Sequence, residues 1–343
     1  MRVLVMGGTW FLGRAVVREA LGRGWEVTTF NRGRSGIDAD GVEAIRGDRT
    51  APEDLRRLSA AGPWDAVVDT SGYVPVEVLA SARELAGVVG RYVFVSTVSV
   101  YEGWPVEPLS EDSPILECPP DAGAGFGADD PRGYPTQYGF QKAGAERAVL
   151  EVFGADRTTV LRPGVILGPG EYVGRLPWWL RRAHASGRML APGDPHQPIQ
   201  PVDVRDVAGF ALDQARSESA GVFNVTAPPG HATFGTMLAA CAAASGSHPE
   251  FEWIPDKFLI RQGVRQWTEL PLWRTYPGTW RVDGSRAHAA GLMCRPLSDT
   301  VAETWAWMTT GGALVENERA GEIGMSAERE RAVLAAWDAR PPG

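Results

Sequence analysis

The sequence is poor in cysteine and contains no long apolar run. Its three cysteines lie far apart and have neither the even number of a disulfide framework nor the spacing of a zinc site. No apolar run approaches the ~18 residues that a membrane-spanning helix needs. The N-terminal segment shows no signal-peptide pattern. We therefore expect a cytoplasmic protein with no membrane partner.

Basic stripes and metal-ligand spacings are also absent. The formal net charge is −8, which argues against a nucleic-acid partner. The five histidines have no metal-ligand spacing, so no metal site is predicted. All basic residues except Lys142 and Lys257 are arginine, which suggests a GC-rich bacterial genome. We expect a small-molecule substrate and a monomer or homodimer.

Short apolar runs alternate with helical stretches through much of the chain. The predicted strands are Val3–Met6, Glu26–Phe30, Val42–Ile45, Ala66–Asp69, Tyr92–Ser96, Thr158–Leu161 and Val222–Val225. The predicted helices are Phe11–Arg23, Pro52–Ala60, Pro75–Val89, Thr136–Phe153 and Val202–Ala215. This alternation predicts an α/β fold, a Rossmann-type doubly wound parallel sheet with a smaller, mixed C-terminal lobe.

The same pattern suggests a domain organisation. Residues 1–165 are predicted to form the nucleotide-binding sheet domain, and residues 200–226 return to it. Residues 166–199 and 227–325, which are irregular and rich in Pro, Gly and Trp, form the predicted substrate-binding lobe. Residues 326–343 are predicted to be a C-terminal helix or tail.

A glycine-rich turn, VLVMGGTWFLGRA, joins the first strand to the first helix. Gly7 suits a tight turn and Gly13 suits close helix–strand packing, while the N-terminal end of the helix attracts a pyrophosphate. Trp10 stands where a small residue usually lets a ligand approach, which is tolerable if its ring projects away from the phosphates. A ligand-free turn is the alternative. The predicted cofactor contacts are Gly7, Thr9, Trp10, Phe11, Leu12 and Gly13.

The second strand ends in FNRGRS, where an NAD-selective site would place an acidic residue. Asn31, Arg32 and Arg34 stand there instead, and guanidinium groups pair well with the 2′-phosphate of NADP. We expect NADP, with NAD possible. Arginines solvated in a loop are the alternative. Further cofactor contacts are predicted at Asp48, for the adenine amino group, and along Thr70, Ser71 and Gly72.

The segment QYGFQKAGAE places Tyr138 and Lys142 four residues apart, on one face of a predicted helix. A tyrosine ordinarily has a pKa of ~10, and a neighbouring ammonium group lowers that pKa. The phenol is then suited to general acid/base catalysis. Arginine is a poor substitute for this lysine because its planar guanidinium places the charge differently.

These motifs together resemble the short-chain dehydrogenase/reductase superfamily. VSTVSVY on the fifth strand and YGFQK on the next helix carry the resemblance, and LRPGVILGPG, PVDVRDVA and GVFNVT are similar to the extended, NAD-dependent epimerase/dehydratase branch. The resemblance covers residues 1–230 well. The branch usually has Gly-x-x-Gly-x-x-Gly, and the departure at Trp10 is more similar to atypical subgroups.

The resemblance implies roles for three candidate catalytic residues. Tyr138 matches the acid/base tyrosine, and Lys142 matches the lysine that also binds the nicotinamide ribose. Thr97 matches the residue whose hydroxyl binds the reacting oxygen, with Ser96 and Ser99 as alternatives. Sugar 4,6-dehydratases of the branch carry Asp-Glu after that threonine. Val98 and Ser99 follow it here, which disfavours 4,6-dehydration.

The predicted substrate lobe is rich in tryptophan and arginine. Candidate substrate contacts are Ser99, Arg175, Trp178 and Trp179, and Arg175 could pair with a substrate phosphate or carboxylate. A second cluster holds Trp253, Trp267, Trp273, Tyr276 and Trp280. These aromatic residues fit either a pocket for a sugar or aromatic metabolite or the core of a small lobe.

Three function classes remain. The first is an NADP-dependent oxidoreductase that transfers hydride between nicotinamide and a carbonyl or secondary alcohol of a sugar-like or specialised metabolite. The second is a redox-neutral nucleotide-sugar epimerase with tightly bound NAD, and the third is a non-catalytic nucleotide-binding regulator or RNA-binding relative. Arg32 and Arg34 favour the first over the second, because epimerases of this branch usually retain NAD. Tyr138, Lys142 and the acidic charge argue against the third.

Overall fold

The computed structural model describes residues 1–132, 134–312 and 321–340. Its central parallel sheet contains β1 (Arg2–Met6), β2 (Glu26–Asn31), β3 (Glu43–Arg46), β4 (Trp64–Asp69), β5 (Val89–Val95), β6 (Thr158–Pro163) and β11 (Gly221–Val225). The strands lie in the order β11-β6-β5-β4-β1-β2-β3, so the winding direction reverses between β1 and β4. In doubly wound sheets, ligands bind at the carboxyl ends of the strands beside such a reversal.

Helices cover both faces of the sheet because both faces are apolar. They are α1 (Phe11–Gly22), α2 (Pro52–Ala60), α3 (Pro75–Leu85), α4 (Tyr134–Phe153) and α6 (Val204–Arg216). Successive residues of β1 point to opposite faces. Val3 and Val5 lie in the core with α1 and α6, whereas Leu4 and Met6 lie in the core with α2, α3 and α4.

The remaining strands and helices lie outside the central sheet. The strands form three two-stranded pairs: β7 (Ile166–Leu167) with β10 (Val202–Asp203), β8 (Arg188–Pro192) with β13 (Glu250–Ile254), and β9 (Pro198–Ile199) with β12 (Ala232–Thr233). The helices are α5 (Arg175–His184), α7 (Phe234–Ser245), α8 (Asp256–Arg261), α9 (Ser285–Ala289), α10 (Leu297–Thr309) and α11 (Ala327–Asp338). The core around α5 and α7 is separate from both cores of the sheet.

The predicted fold class is confirmed by this sheet, but two predicted helix boundaries are wrong. The helix predicted at Val202–Ala215 begins at Val204, because Val202–Asp203 is strand β10. The predicted helix Pro75–Val89 ends at Leu85, and Val89 is the first residue of β5. Apolar residues continue from the helix through the turn into the strand, so the hydrophobic pattern does not mark the boundary. Within the described ranges, no helix is long and apolar enough to cross a membrane.

Candidate active site

The glycine-rich turn after β1 is closely packed. Gly7 and Gly8 have φ values of 107° and 98°, in the left-handed region that favours glycine. A Cβ atom on Gly13 would lie 2.7 Å from the amide nitrogen of Gly8 and 2.8 Å from Oγ1 of Thr70. Gly13 is therefore required for the approach of α1 to the turn and to β4.

The N-terminus of α1 suits an anionic ligand. Its N-cap residue, Trp10, has an extended backbone and makes no side-chain capping bond, and the first turn contains no acidic residue. The N–H groups of that turn and the positive end of the helix dipole remain open to a phosphate. This arrangement fits the pyrophosphate of a nicotinamide dinucleotide.

The side chains at the start of α1 pack against the segment that precedes α5. The ring centroids of Trp10 and Tyr172 are 4.2 Å apart, and Tyr172 also lies edge-on to Phe11, at 6.0 Å. Trp10 thus joins the turn to the segment before α5. The contact between Trp10 and Tyr172 could not be predicted from the sequence, because the two residues are more than 150 positions apart.

An acidic residue from the loop after β2 lies at the end of that strand, and the motif did not predict it. The carboxylate of Asp38 accepts hydrogen bonds from Thr29 (2.9 Å) and Asn31 (3.0 Å) and pairs with Arg46. These contacts lower the pKa of Asp38 against the opposing effect of burial, which is the largest contribution. Asn31 also donates to the carbonyl oxygen of Gly7 (3.2 Å) and so braces the turn. Asp38 reaches the strand end from the following loop.

Two basic side chains remain exposed beside this strand end. Arg32 lies 4.0 Å from the carboxylate of Asp48 and has a side chain 57% exposed. Asp48 accepts hydrogen bonds from Thr50, and these make the largest contribution to lowering the pKa of Asp48. The charges of Arg32 and Arg34 lower that pKa further. The structure therefore places Arg32, Arg34 and Asp48 together at the ends of β2 and β3.

Arg49, like Tyr172 and Asp38, was not predicted from the sequence. Its guanidinium donates to Asp69 at 2.8 Å, and Tyr92 donates to the same carboxylate oxygen at 2.8 Å. Two further nitrogen atoms of Arg49, Nε and one terminal nitrogen, are buried without a hydrogen-bond partner among the described residues. A buried donor beside the carboxyl ends of β3 and β4 is suited to an acceptor atom of a bound nucleotide.

Lys142 is fixed by backbone carbonyls at the ends of two neighbouring strands. Its Nζ donates to the carbonyl oxygens of Gly72 and Val95, each at 2.6 Å, and lies 4.3 Å from the ring centroid of Phe94. The side chain is buried. Burial lowers the pKa of Lys142 to about 7, and the charges of Asp69 and Glu146 oppose this shift.

Tyr138 lies one helical turn before Lys142, and Tyr73 contacts both. The rings of Tyr73 and Tyr138 are 6.4 Å apart, and Nζ of Lys142 is 5.4 Å from the ring centroid of Tyr73. Thr97 lies in the turn after β5, where its Oγ1 accepts a hydrogen bond from the amide of Ser99 at 3.1 Å. The expected catalytic groups thus lie on α4 and at the adjoining end of β5.

A buried polar network includes Glu146, which lies one helical turn after Lys142 on α4. Ser96 donates to Glu146, which pairs with Arg162 at 2.6 Å. Arg162 in turn donates to the hydroxyl of Tyr101 at 3.0 Å, and Tyr101 donates to Asn224 at 2.6 Å. Ser96 is thereby committed to Glu146, whereas the hydroxyl of Thr97 donates a longer hydrogen bond, at 3.3 Å, to the hydroxyl of Ser99.

The predicted substrate contacts have different surroundings. Trp179 is fully buried in the core around α5, and its indole N–H donates to the carbonyl oxygen of Pro271, so it packs as a core residue. Trp178 packs edge-on against Trp179, at 4.6 Å. Arg175 pairs with the buried carboxylate of Glu171 at 3.4 Å. Its guanidinium carbon lies 5.6 Å from the ring centroid of Trp267.

A family model provides the decisive comparison. The model of the NAD dependent epimerase/dehydratase family matches residues 3–226, which include the turn, Thr97, Tyr138 and Lys142. The chain belongs to this family. The description of this family names NAD-dependent epimerases and dehydratases.

Curated relatives include two reductases and a stem-loop binding protein. A 2-alkyl-3-oxoalkanoate reductase from Stenotrophomonas maltophilia is 33% identical over 57% of this chain and 59% of its own length. A 2'-dehydrokanamycin reductase from Streptomyces kanamyceticus is 29% identical over 57% of this chain and 52% of its own length. A chloroplast stem-loop binding protein from Arabidopsis thaliana is 26% identical over 71% of this chain and 63% of its own length. The chain thus spans only half to two thirds of these relatives.

Solved structures share the fold. A UDP-glucose 4-epimerase from Thermotoga maritima superimposes with a TM-score of 0.66 at 18% identity, covering 90% of this chain and 99% of that chain. The Bordetella bronchiseptica enzyme WbmG, solved with NAD and UDP, gives a TM-score of 0.67 at 17% identity, covering 93% and 98%. At this level of identity the similarity establishes the fold alone.

Proposed function

We propose that this protein is an NADP-dependent reductase or dehydrogenase that interconverts a carbonyl group and a secondary alcohol. The observation that carries the proposal is the position of Lys142, bound to the carbonyls of Gly72 and Val95 one helical turn from Tyr138. This pair lies at the carboxyl edge of the sheet, where the open N-terminus of α1 fits a dinucleotide. The names of the two reductase relatives also support carbonyl reduction.

The chain's own groups supply the proton chemistry. When bound, the reduced cofactor supplies the hydride that reaches the carbonyl carbon. The phenol of Tyr138 donates a proton to the carbonyl oxygen, and the hydroxyl of Thr97 donates a hydrogen bond to that oxygen. In its protonated form, Lys142 stabilises the resulting phenolate, and its side chain orients the nicotinamide ribose.

The choice of NADP rests on the end of β2. Arg32 and Arg34 are exposed there and pair readily with a 2′-phosphate, whereas the carboxylate of Asp38 is already neutralised by Arg46. Under this proposal Asp48 and Arg49 contact the adenine end of the cofactor. Thr70, Ser71 and Gly72 follow its length toward Lys142.

The test is cofactor oxidation with a panel of ketones, oxo acids and oxo sugars, with NADPH and NADH compared. We expect at least one carbonyl compound to be reduced with NADPH preferred, and Tyr138→Phe to lose this activity while it still binds the cofactor. Wild-type turnover by Tyr138→Phe would reject the role of Tyr138, and if no compound of the panel oxidised either cofactor the reductase proposal itself would be wrong. The protein would then fit the ligand-binding class, which includes the stem-loop binding relative.

A further inference from the structure

The ammonium group of Lys142 lies among two backbone carbonyls and two aromatic rings. Its Nζ is 4.3 Å from the ring centroid of Phe94 and 5.4 Å from that of Tyr73, and both distances are within the range of a cation–π contact. The carbonyl oxygens of Gly72 and Val95 accept its hydrogen bonds, each at 2.6 Å. We call these four groups the lysine cage.

Tyr73 is the exposed part of the lysine cage. Phe94 is fully buried in the core that the sheet shares with α2, α3 and α4, whereas Tyr73 is 49% exposed and lies in the loop between β4 and α3. Lys142 itself is only 3% exposed. The ring of Tyr73 also lies 6.4 Å from the ring of Tyr138. Tyr73 therefore borders both members of the proposed catalytic pair.

None of the four groups of the lysine cage carries a formal charge. Burial is the main cause that lowers the pKa of Lys142 to about 7, and the charge of Arg49 acts in the same direction. The charges of Asp69 and Glu146 oppose this shift. Both carboxylates are paired with arginines, since Asp69 lies 2.8 Å from Arg49 and Glu146 lies 2.6 Å from Arg162. The charged lysine therefore depends on neutral neighbours for part of its stabilisation.

The rings of the lysine cage can provide this stabilisation. The face of an aromatic ring attracts a cation, so it favours the charged form of the lysine and opposes the effect of burial. A leucine at position 73 would keep much of the bulk of the tyrosine but would lack this attraction. A phenylalanine would keep it, because the attraction comes from the ring and does not need the hydroxyl.

We propose that Tyr73 is a positioning residue of the active site, whose ring, together with that of Phe94, keeps the side chain of Lys142 charged and in place beside Tyr138. This inference rests on the proposed function, because Lys142 and Tyr138 are the pair that carries it. Tyr73 acts through the lysine and supplies no proton itself. The charged lysine stabilises the phenolate that remains after Tyr138 has donated its proton.

The test follows the charge of Lys142 directly, so it does not depend on turnover. The chain contains only two lysines, so in a Lys257→Arg background lysine labelled with carbon-13 at Cε gives a single NMR signal, from Lys142. Titration of that signal with pH gives the pKa. We expect Tyr73→Leu to lower the pKa of Lys142 by ~0.5–1 pH unit, the scale of a half-exposed cation–π contact. Tyr73→Phe should leave it unchanged.

Matched variants separate the effect of the ring from effects on the fold. Tyr276→Leu removes an equally exposed tyrosine ring, which lies 5.9 Å from the guanidinium carbon of Arg274, and should leave the pKa of Lys142 unchanged. Tyr73→Met makes the same change with a flexible side chain and replaces Tyr73→Leu if that variant does not fold. Thermal unfolding shows which variants are folded.

Steady-state kinetics show whether the effect reaches the reaction. Because the charged lysine is required, kcat/KM for a carbonyl substrate should fall as the pH rises through the pKa of Lys142. Tyr73→Leu should move this fall to lower pH by the same ~0.5–1 pH unit, and Tyr73→Phe should not. A residue that only contacted the substrate would change KM and leave the pH of the fall unaltered.

Three results would overturn the inference. They are an unchanged pKa of Lys142 in Tyr73→Leu, a raised pKa, which would show that the ring only keeps water away, and an equal decrease in Tyr73→Phe and Tyr73→Leu. Failure of the reductase proposal looks different, because Tyr73→Leu would still lower the pKa of Lys142 while no carbonyl compound oxidised NADPH. Carbonyl reduction by a protein whose Lys142 titrates identically in wild type and Tyr73→Leu would leave the reductase proposal standing and reject this inference.

Discussion

The ammonium group of Lys142 donates a 2.6 Å hydrogen bond to the carbonyl oxygen of Gly72, which ties α4 directly to the loop after β4. A second bond to Val95 ties the same group to the end of β5. One buried side chain thus joins the helix that carries Tyr138 to the two strand ends along which the cofactor is proposed to lie. Both the stability of the fold and the proposed catalytic role of Lys142 depend on whether this side chain is protonated.

Burial of Lys142 predicts a specific dependence of stability on pH. Its pKa is lowered from 10.5 to about 7, so between these values the unfolded chain holds a proton that the folded protein has released. The free energy of unfolding therefore rises with pH across this window. Below pH 7 the buried lysine is protonated, and the destabilisation by its buried charge is greatest. Relative to Lys142→Met, the free energy of unfolding of the wild type should rise by ~2 kcal/mol between pH 7 and pH 9.

Denaturant titrations at several pH values measure this difference. The control is Lys257→Met, at the only other lysine, which is exposed on α8. A Lys142→Met difference that stayed constant from pH 7 to pH 9 would show that burial does not lower the pKa of Lys142.

Substitutions of the catalytic pair should separate chemistry from binding. Tyr138→Phe should lower turnover by ~10²–10⁴-fold with cofactor affinity retained, because only the proton donor is lost. Lys142→Ala should weaken both turnover and cofactor binding, and Lys142→Arg should not restore activity. Thr97→Val should lower the rate less, whereas Thr97→Ser should be nearly silent. Steady-state rates and cofactor titrations measure these effects, and equal losses of affinity in Tyr138→Phe and Lys142→Ala would contradict the assigned roles.

The packing of the turn predicts which substitutions at and near the start of α1 most reduce cofactor binding and stability. Gly13→Val should abolish cofactor binding or folding, because even a Cβ would lie 2.7 Å from the backbone of Gly8. Trp10→Gly should cost less, since it removes mainly the contact with Tyr172. Gly22→Ala, in the same helix with no atom within 4 Å of the added Cβ, is the control and should be neutral or stabilising. Thermal unfolding with and without NADP⁺ ranks the three, and complete loss of binding in Trp10→Gly would identify Trp10 as a cofactor contact.

Cofactor selectivity should depend on Arg32. Arg32→Ala should weaken NADP(H) binding by ~1.5–3 kcal/mol while NAD(H) binding changes little, because only the 2′-phosphate contact is lost. Arg18→Ala, at an exposed arginine of α1, serves as the control. Isothermal titration with both cofactors gives the answer. Tighter binding of NAD(H) than NADP(H) by the wild type would reverse the assignment.

The sequence predicted the parts of the site that are local in the chain. The turn around Gly13 and the pair Tyr138–Lys142 were visible because close spacing along the chain determines their geometry. Residues that reach the site from distant segments were not visible. Asp38 arrives at the end of β2 from the following loop, and Tyr172 reaches the turn from more than 150 positions away in the sequence. The sequence did not decide between a core position and a substrate contact for Trp179, because a buried aromatic residue and a ligand-binding one look alike in a sequence.

The most direct test of the account uses NADPH that carries deuterium at the transferable hydride position. The purified protein is incubated with this cofactor and a carbonyl substrate from the panel, and the product is examined by mass spectrometry. Net hydride transfer predicts an alcohol with one deuterium on the former carbonyl carbon, formed in step with NADPH oxidation and absent with Tyr138→Phe. An unlabelled product, formed by protein that retains tightly bound NAD⁺ and leaves the added NADPH unconsumed, would contradict the account and establish a redox-neutral epimerase.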